Sequence, residues 1–89
     1  MKAIRRTSQF KQDVKRMQRQ GKDLDKLKRV LASLVEGEEL TPECRDHVLV
    51  GQYRGTRECH LETDWLLIYE QAESEIVLIR TGSHSDLFR

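Results

Sequence analysis

The sequence predicts an α+β domain in which a hairpin of two helices packs on a small twisted antiparallel sheet, in the chain order β-α-α-β-β-β. Two patterns indicate this fold class: apolar residues recur at helical spacing in the first half, and short apolar strands separated by tight turns follow in the second. The length gives a third indication. A chain of 89 residues can build one hydrophobic core but not two, so residues 1–89 are expected to form a single domain.

The N-terminal part of the chain predicts a short strand and two amphipathic helices. Residues 2–6 suit an edge strand, and Thr7 or Ser8 can then cap a first helix over residues 8–20. A second helix follows and should end before Gly37. The apolar stripes are Phe10, Val14 and Met17 in the first helix, and Leu24, Leu27, Val30, Leu31, Leu34 and Val35 in the second.

The second half predicts a polar loop followed by three strands. The helical pattern is lost over residues 37–52, which contain the only proline, Pro42. The turns between the strands are short enough for hairpins, so the sheet should be largely antiparallel. Strict alternation along the last strand would put Arg80 on the same face as Ile76 and Leu78. The predicted strands span residues 53–61, 65–70 and 75–80.

The net charge of +1 hides an uneven distribution along the chain. Residues 1–30 hold eleven Lys or Arg and three Asp or Glu, whereas residues 31–89 hold five and twelve. The basic segment suits a nucleic-acid backbone or an acidic protein partner, and ordinary solvated helix faces are the alternative. No apolar run approaches the ~20 residues that cross a bilayer, so we expect a cytoplasmic protein without a membrane segment. In that compartment Cys44 and Cys59 should be free thiols rather than a disulfide.

Five polar residues are candidates for a catalytic site. His47, His60 and His84 lie close to turns or strand ends, and each taken alone would more often be structural. Together with Asp64 and Arg80 they suit one reaction, the cleavage of RNA without a metal ion. That reaction needs a proton taken from a 2′-hydroxyl, a stabilised phosphorane, and a proton given to the departing 5′-oxygen. His and Asp can perform the two proton transfers, and Arg can stabilise the phosphorane.

Two aromatic residues lie beside these candidates. The rings of Trp65 and Phe88 could stack on an unpaired base, which contributes roughly 1 to 3 kcal/mol. Core packing is the alternative for both. It is the stronger alternative for Trp65, which begins an apolar strand.

A zinc site competes for some of the same residues. Cys44-x-x-His47 and Cys59-His60 offer four possible ligands within seventeen residues. However, neighbouring residues of a strand point to opposite faces, so Cys59 and His60 could bind one ion only across a break or bulge. We therefore expect no metal and no cofactor. The sequence also lacks a Walker loop, a dinucleotide-binding glycine pattern and the H-E-x-x-H and nucleophile-elbow motifs, which excludes nucleotide hydrolases and peptidases.

Spaced motifs over residues 46–88 carry a family resemblance. They read Asp46-His47-Val48-Leu49-x-Gly51, then Gly55-x-Arg57-x-x-His60-x-x-x-Asp64-Trp65-x-Leu67-Ile68-Tyr69, then Arg80-Thr81-Gly82-Ser83-His84-x-x-Leu87-Phe88. These combinations, preceded by an Asp-x-x-Lys-Leu segment at residues 23–27, resemble the YafQ-type mRNA interferases of the RelE/ParE toxin superfamily. The resemblance implies a RelE-like fold, cleavage of mRNA on a translating ribosome, and a cognate DinJ-like antitoxin as partner.

The resemblance also implies roles for individual residues. His84 would be the general acid, Asp64 or His60 the base, and His47 a phosphate or proton-transfer partner. Arg80 would stabilise the phosphate. The implied substrate-binding residues are Trp65 and Phe88, as base-positioning rings, and Arg57. Two other functions stay open at this point, a ParE-like inhibitor of DNA gyrase and an RNA-binding module without catalysis; neither would require the complete His and Asp set.

Overall fold

The computed structural model describes residues 1–88. Within them, helices and strands follow one another in the order β1-α1-α2-β2-β3-β4-β5-α3. The bounds are Ala3–Arg6 for β1, Ser8–Arg19 for α1, Leu24–Val35 for α2, His47–Val48 for β2, Arg57–Glu62 for β3, Trp65–Gln71 for β4, Glu75–Gly82 for β5 and His84–Leu87 for α3. None of the described helices has the length and apolar character that crossing a membrane requires.

The five strands form one mixed sheet with the spatial order β1-β5-β4-β3-β2. Strand β3 pairs antiparallel with β4, and β4 with β5, as the short turns predicted. Strand β2 also pairs antiparallel with β3. Strand β1 instead pairs parallel with β5, because it comes from the opposite end of the chain and no hairpin joins the two. The α+β class is confirmed, and the prediction of a largely antiparallel sheet is correct except at this edge.

Both predicted helices are present and begin at side-chain caps. The Thr7 side chain accepts a hydrogen bond from the Phe10 backbone N–H, and the Asp23 side chain accepts one from Asp25. The apolar stripes of α1 and α2 pack on one face of the sheet, as the helical spacing predicted. The buried residues of this helix-side core are Phe10, Met17, Leu27, Leu34, Cys59, Trp65, Leu67, Tyr69, Ile76 and Leu78.

Short elements account for the main differences from the prediction. Strand β2 lies in the predicted loop, and α3 was not predicted, because two and four residues are too few to show a period. The signal for α3 was a capping box, in which Ser83 and Asp86 each accept from the other's backbone N–H. Conversely, residues 53–56 were predicted to be in a strand but form the end of a 3₁₀ turn and a loop.

A β-bulge changes which face Arg80 occupies. Ile68 pairs with Arg80, but the next residue, Tyr69, pairs with Leu78, so Ile79 is an extra residue in β5. Arg80 therefore lies on the face of Ile68, which is opposite the helix-side core that contains Tyr69 and Leu78. The prediction that Arg80 shares a face with Leu78 was wrong, because alternation does not continue through a bulge.

Trp65 belongs to the helix-side core. The residue has no exposed surface, and its indole N–H donates to the Thr81 hydroxyl at 2.9 Å. That hydroxyl in turn donates to the Leu66 carbonyl at 2.7 Å. A fully buried ring has no face on which a base could stack, so the expectation that Trp65 positions a base is corrected to a role in packing.

Because Trp65 is buried, we expect its substitution to change the free energy of unfolding rather than substrate binding. Trp65→Phe should lower the free energy of unfolding by about 1 to 2 kcal/mol, because it removes a hydrogen bond and part of the ring volume. Trp65→Ala should cost about 3 to 5 kcal/mol through the cavity it creates. Urea unfolding followed by circular dichroism measures both. A Trp65→Leu variant that folded but had lost RNA binding, while Trp65→Phe kept it, would restore the stacking role.

Candidate active site

The candidate active site lies on the sheet face opposite α1 and α2. Glu58 and His60 are two residues apart on β3 and therefore share a face. They pair across to Ile68 and Leu66, which belong to the small apolar cluster on this side of the sheet. His47 on β2 pairs with Glu58, so the strand register brings His47 to the same face.

A buried carboxylate, not identified from the sequence, lies between two of the histidines. Glu58 is 5% exposed, and its Oε1 is 3.1 Å from His60 Nε2 and 3.8 Å from His47 Nε2. A buried carboxylate is costly unless it is hydrogen-bonded or paired, and the imidazole of His60 supplies such a partner. Its one sequence signal was the two-residue spacing from His60, which is weak because most acidic strand residues face solvent.

Arg45 connects the same two histidines. It is the one non-glycine residue among residues 1–88 with a positive φ, +47°, a conformation that costs energy and is often found at functional sites. Its carbonyl oxygen is 2.8 Å from His47 Nδ1, and its Nη2 is 3.2 Å from His60 Nδ1. A carbonyl only accepts and a guanidinium only donates, so Nδ1 is protonated in His47 and unprotonated in His60. The protonated atom of His60 is then Nε2, which donates to Glu58.

His84 and Asp64 form a second pair, contributed by the start of α3 and the turn before β4. Asp64 Oδ1 accepts hydrogen bonds from the backbone N–H and from Nδ1 of His84, each at 2.9 Å. These two hydrogen bonds, the backbone one first, lower the pKa of Asp64. Because Nδ1 of His84 is bound to Asp64, Nε2 is the ring nitrogen left for reaction, on a side chain that is 53% exposed. The ring centres of His84 and His60 are 5.9 Å apart.

Phe88 lies at the edge of this histidine group. It is 39% exposed, and its ring centre is 6.2 Å from that of His84. The Tyr53 ring meets it edge-on at 5.4 Å, and the Tyr53 hydroxyl donates to the Leu87 carbonyl. These contacts fix the ring while part of it stays open to solvent. Phe88 therefore meets the geometric requirement of the stacking role expected for it, and Tyr53 is a supporting residue that the sequence did not identify.

Arg80 on β5 shares the sheet face of Ile68, and its guanidinium contacts both Asp13 of α1 and the Tyr53 hydroxyl beside Phe88. Its Nε and Nη2 donate to the two carboxylate oxygens of Asp13 on α1, at 2.7 and 3.2 Å. The hydrogen bond to Asp13 raises the pKa of Arg80, and the nearby Tyr53 hydroxyl acts in the same direction. A guanidinium has five N–H donors, and Asp13 uses two of them. The side chain is thus held firmly while it keeps donors for a phosphate.

Arg57 does not join this group. Its neighbour Glu58 points into the site, so Arg57 points to the opposite face, where it pairs across the strands with Tyr69. Its Nε donates to Asp46 at 3.1 Å, and that hydrogen bond raises its pKa. Both residues line a cavity of about 570 Å³ on the helix side of the sheet. Arg57 therefore lies apart from the histidines, and its role in substrate binding stays a prediction.

The possible metal ligands share only His60 with those considered from the sequence. Cys59 is buried in the helix-side core, where burial raises the pKa of its thiol, while His60 faces the candidate site. Both cysteines are free thiols. Within residues 1–88, Glu58, His60 and His84 offer ligand atoms that lie within 4.8 Å of one another.

Comparison with known proteins places this geometry in a family. The family model described as bacterial toxin of type II toxin-antitoxin system, YafQ, matches residues 2–89. The mRNA interferase toxin YafQ of Escherichia coli strain K12 is 37% identical over 86 residues, which are 96% of this chain and 94% of that protein. Among solved structures, YafQ from E. coli strain BL21(DE3) matches with a TM-score of 0.94 at 34% identity, covering 100% of both chains.

A second solved structure is the DinJ-YafQ toxin-antitoxin complex of E. coli, which matches with a TM-score of 0.92 at 36% identity, over 99% of this chain and 98% of that chain. The resemblance seen in the motifs of residues 46–88 is thus confirmed over nearly the whole length. This chain belongs to the YafQ family of toxins of type II toxin-antitoxin systems.

Proposed function

We propose that this protein is an mRNA interferase, an endoribonuclease that cuts mRNA by general acid and base catalysis without a metal ion. The observation that carries the proposal is that two histidines, His47 and His84, are hydrogen-bonded in the same way. In both His47 and His84, Nδ1 is bound to an acceptor and Nε2 is left for reaction. Arg80 supplies a fixed cation on the same sheet face, and the relatives named mRNA interferase support the substrate class.

His47 is the proposed general base. The Arg45 carbonyl holds its Nδ1–H, so the neutral ring presents an unprotonated Nε2. When Nε2 takes the proton of the ribose 2′-hydroxyl, the ring becomes an imidazolium 3.8 Å from the Glu58 carboxylate, which stabilises the positive charge. This assignment moves the base from Asp64 or His60 to His47. Asp64 is bound to His84, and both ring nitrogens of His60 are engaged, by Arg45 and by Glu58.

His84 is the proposed general acid. Its imidazolium is stabilised by Asp64, which accepts the Nδ1–H bond and stays ionised because its pKa is lowered. As the 2′-oxygen forms a bond to phosphorus, the bond from phosphorus to the 5′-oxygen breaks, and His84 Nε2 protonates that oxygen. The products are a 2′,3′-cyclic phosphate and a free 5′-hydroxyl. Asp64 acts as the residue that orients the acid.

Arg80 and Phe88 complete the proposed site. The N–H groups of Arg80 that do not face Asp13 stabilise the extra negative charge of the phosphorane. The partly exposed Phe88 ring, fixed against Tyr53, stacks on a base next to the scissile phosphate. A gyrase inhibitor would need neither the paired histidines nor their carboxylate partners.

The proposed partners are mRNA, the ribosome and a DinJ-like antitoxin. The structure of DinJ bound to the E. coli relative supports an antitoxin of that kind. We propose that a segment of the antitoxin wraps this small domain and folds as it binds. The basic segment of residues 1–30 supports contact with ribosomal RNA, because Lys and Arg neutralise backbone phosphates.

The proposed contact between the basic segment and ribosomal RNA can be tested on the exposed face of α1. Lys15→Glu should weaken binding to ribosomes and reduce the slope of log affinity against log salt, since each phosphate contact contributes roughly 0.7 to 0.9 to that slope. Lys15 is exposed and far from the core stripe, so the variant should fold normally. Lys15→Arg, which keeps the charge, is the matched control. Binding that did not respond to salt would argue against a role for this helix face.

Cleavage itself is tested in a cell-free translation reaction. Purified wild-type protein, His84→Ala and the surface variant Glu75→Gln are added to a translated message, and the same RNA without ribosomes is treated in EDTA. Primer extension maps the cuts and end-group analysis identifies the termini. We expect cuts by wild type and Glu75→Gln only, ending in 2′,3′-cyclic phosphate. No cut by folded wild-type protein in either arm would overturn the proposal.

A further inference from the structure

A buried carboxylate on α1, Asp13, binds the proposed phosphate-stabilising residue from outside the candidate site. Asp13 has no exposed surface, although it lies on the most basic helix of the chain. Its two oxygens accept hydrogen bonds from Arg80, at 2.7 and 3.2 Å, from the Thr81 backbone N–H at 3.1 Å, and from Arg16 Nη1 at 2.8 Å. Gln9 Nε2, also on α1, donates to Oδ1 at 3.4 Å. The donors from outside α1 both belong to β5, so the carboxylate joins α1 to the strand that carries the proposed phosphate-stabilising residue.

Arg16 extends this connection to α3. Its Nη2 donates to the Thr81 carbonyl at 3.1 Å and lies 3.5 Å from Asp86 Oδ2. The same Asp86 oxygen accepts the Ser83 backbone N–H and so caps the helix that begins with His84. The packing here is tight. A Cβ at Gly82 would come within 2.7 Å of Arg16 Nη2 and 3.0 Å of the Asp86 side chain.

A purely structural role explains this arrangement poorly. A buried ion pair is often no more stabilising than apolar residues of the same volume, because both charges lose their hydration. Its specific effect is geometric: a carboxylate that accepts from Nε and Nη2 together fixes the plane of a guanidinium. Arg80 is attached to a bulge in β5, where strand pairing alone orients a side chain less firmly.

We propose that Asp13 is a positioning residue that holds the Arg80 guanidinium against the place of the scissile phosphate and, through Arg16, ties α1 to the helix that carries His84. The inference rests on the proposed ribonuclease function. It assigns to α1 a role in catalysis without substrate contact. If the guanidinium is free to move by about 1 Å, the cost to the rate can reach roughly 10²-fold.

A double-mutant cycle tests the proposal in single-turnover cleavage. Asp13→Asn, which keeps the shape of the side chain, should lower the cleavage rate about 10- to 100-fold with little change in KM. In an Arg80→Gln background the same substitution should lower the rate much less, because only the connection through Arg16 is then left to lose. Glu75→Gln, which breaks the exposed pair with Arg5, is the matched control and should behave as wild type. Equal losses in both backgrounds would overturn the proposal.

A second measurement does not depend on activity. The Arg80 Nε–H signal in ¹⁵N NMR should be protected in wild type and in Glu75→Gln, and should weaken or move in Asp13→Asn. Adding an oligonucleotide with a 2′-deoxyribose at the cleavage position should shift this signal in wild type more than in Asp13→Asn. If folded wild type cut no RNA, the proposed function would fail, and an unchanged Arg80 signal in Asp13→Asn would separately refute the positioning role.

Discussion

His84→Ala is expected to lower the single-turnover rate of RNA cleavage by about 10²- to 10⁴-fold, the usual contribution of a general acid. The physical reason is that His84 Nε2 is the one atom of its pair open to the leaving oxygen, since Nδ1 is bound to Asp64. The side chain is half exposed, so its removal should change the free energy of unfolding by less than about 1 kcal/mol. The rate is measured by quenched-flow cleavage of a short RNA, or of ribosome-bound mRNA if naked RNA is not cut.

Asp64→Asn tests whether Asp64 supports the proposed general acid, His84. It keeps the size of the side chain but loses the negative charge that stabilises the protonated His84 ring. We expect an intermediate loss of rate, because the ring is then held less firmly and its charged form is less favoured. A cleavage rate in His84→Ala equal to wild type would remove His84 from the mechanism.

Arg80→Gln is expected to affect both rate and stability. Cleavage should fall by about 10²- to 10³-fold through the loss of phosphorane stabilisation. The free energy of unfolding should fall by about 3 kcal/mol, because Asp13 stays buried with fewer charged partners. The Thr81 N–H and Arg16 still bind the carboxylate. The expected loss of unfolding free energy is therefore at the lower end of the range for broken buried ion pairs. Arg80→Lys should lose less stability than Arg80→Gln and still lose most of the rate.

The pH dependence of stability provides a separate check on this pair. Burial raises the pKa of Asp13, but the hydrogen bonds from Arg80, Thr81 and Arg16 outweigh it and lower the pKa overall. A lowered folded-state pKa gives stability that is present above the unfolded value, about 3.9, and is lost as pH falls through the folded value. The stability difference between wild type and Arg80→Gln should therefore shrink as pH falls below about 4. A constant difference down to pH 2 would contradict the ion pair.

The helices and the main strands could be predicted from the sequence because each is long enough to show a period. Phe10 and Met17 mark the buried face of α1 by spacing alone, and both are in the core. Alternation failed at Arg80, because a bulge is a tertiary feature that one strand read alone does not reveal. The alternation of side chains along one strand also could not show that Trp65 and Arg57 face the helices, because the position of the strand in the sheet decides which of its faces the helices cover.

The candidate site was predicted in part, and the missing residues have a common cause. His47, His60, Asp64, His84, Arg80 and Phe88 are residue types that suggest RNA cleavage, and they were identified from the motifs. Glu58 and Arg45 were missed because a charged residue in a polar stretch usually faces solvent. Only the pairing of β2 with β3 brings Glu58 between two histidines, and only the left-handed backbone of Arg45 brings its carbonyl and guanidinium to them. These contacts are also the reason for proposing His47 rather than His60 as the base.

A substrate with sulfur in place of the bridging 5′-oxygen tests most directly whether His47 and His84 divide the two proton transfers. A thiolate leaves without a general acid, so this substrate removes the need for His84 only. We expect His84→Ala to cut the sulfur substrate at nearly the wild-type rate, whereas His47→Ala should stay slow on both substrates. Rescue of His47→Ala, or no rescue of His84→Ala when both variants are folded, would contradict this division of the proton transfers.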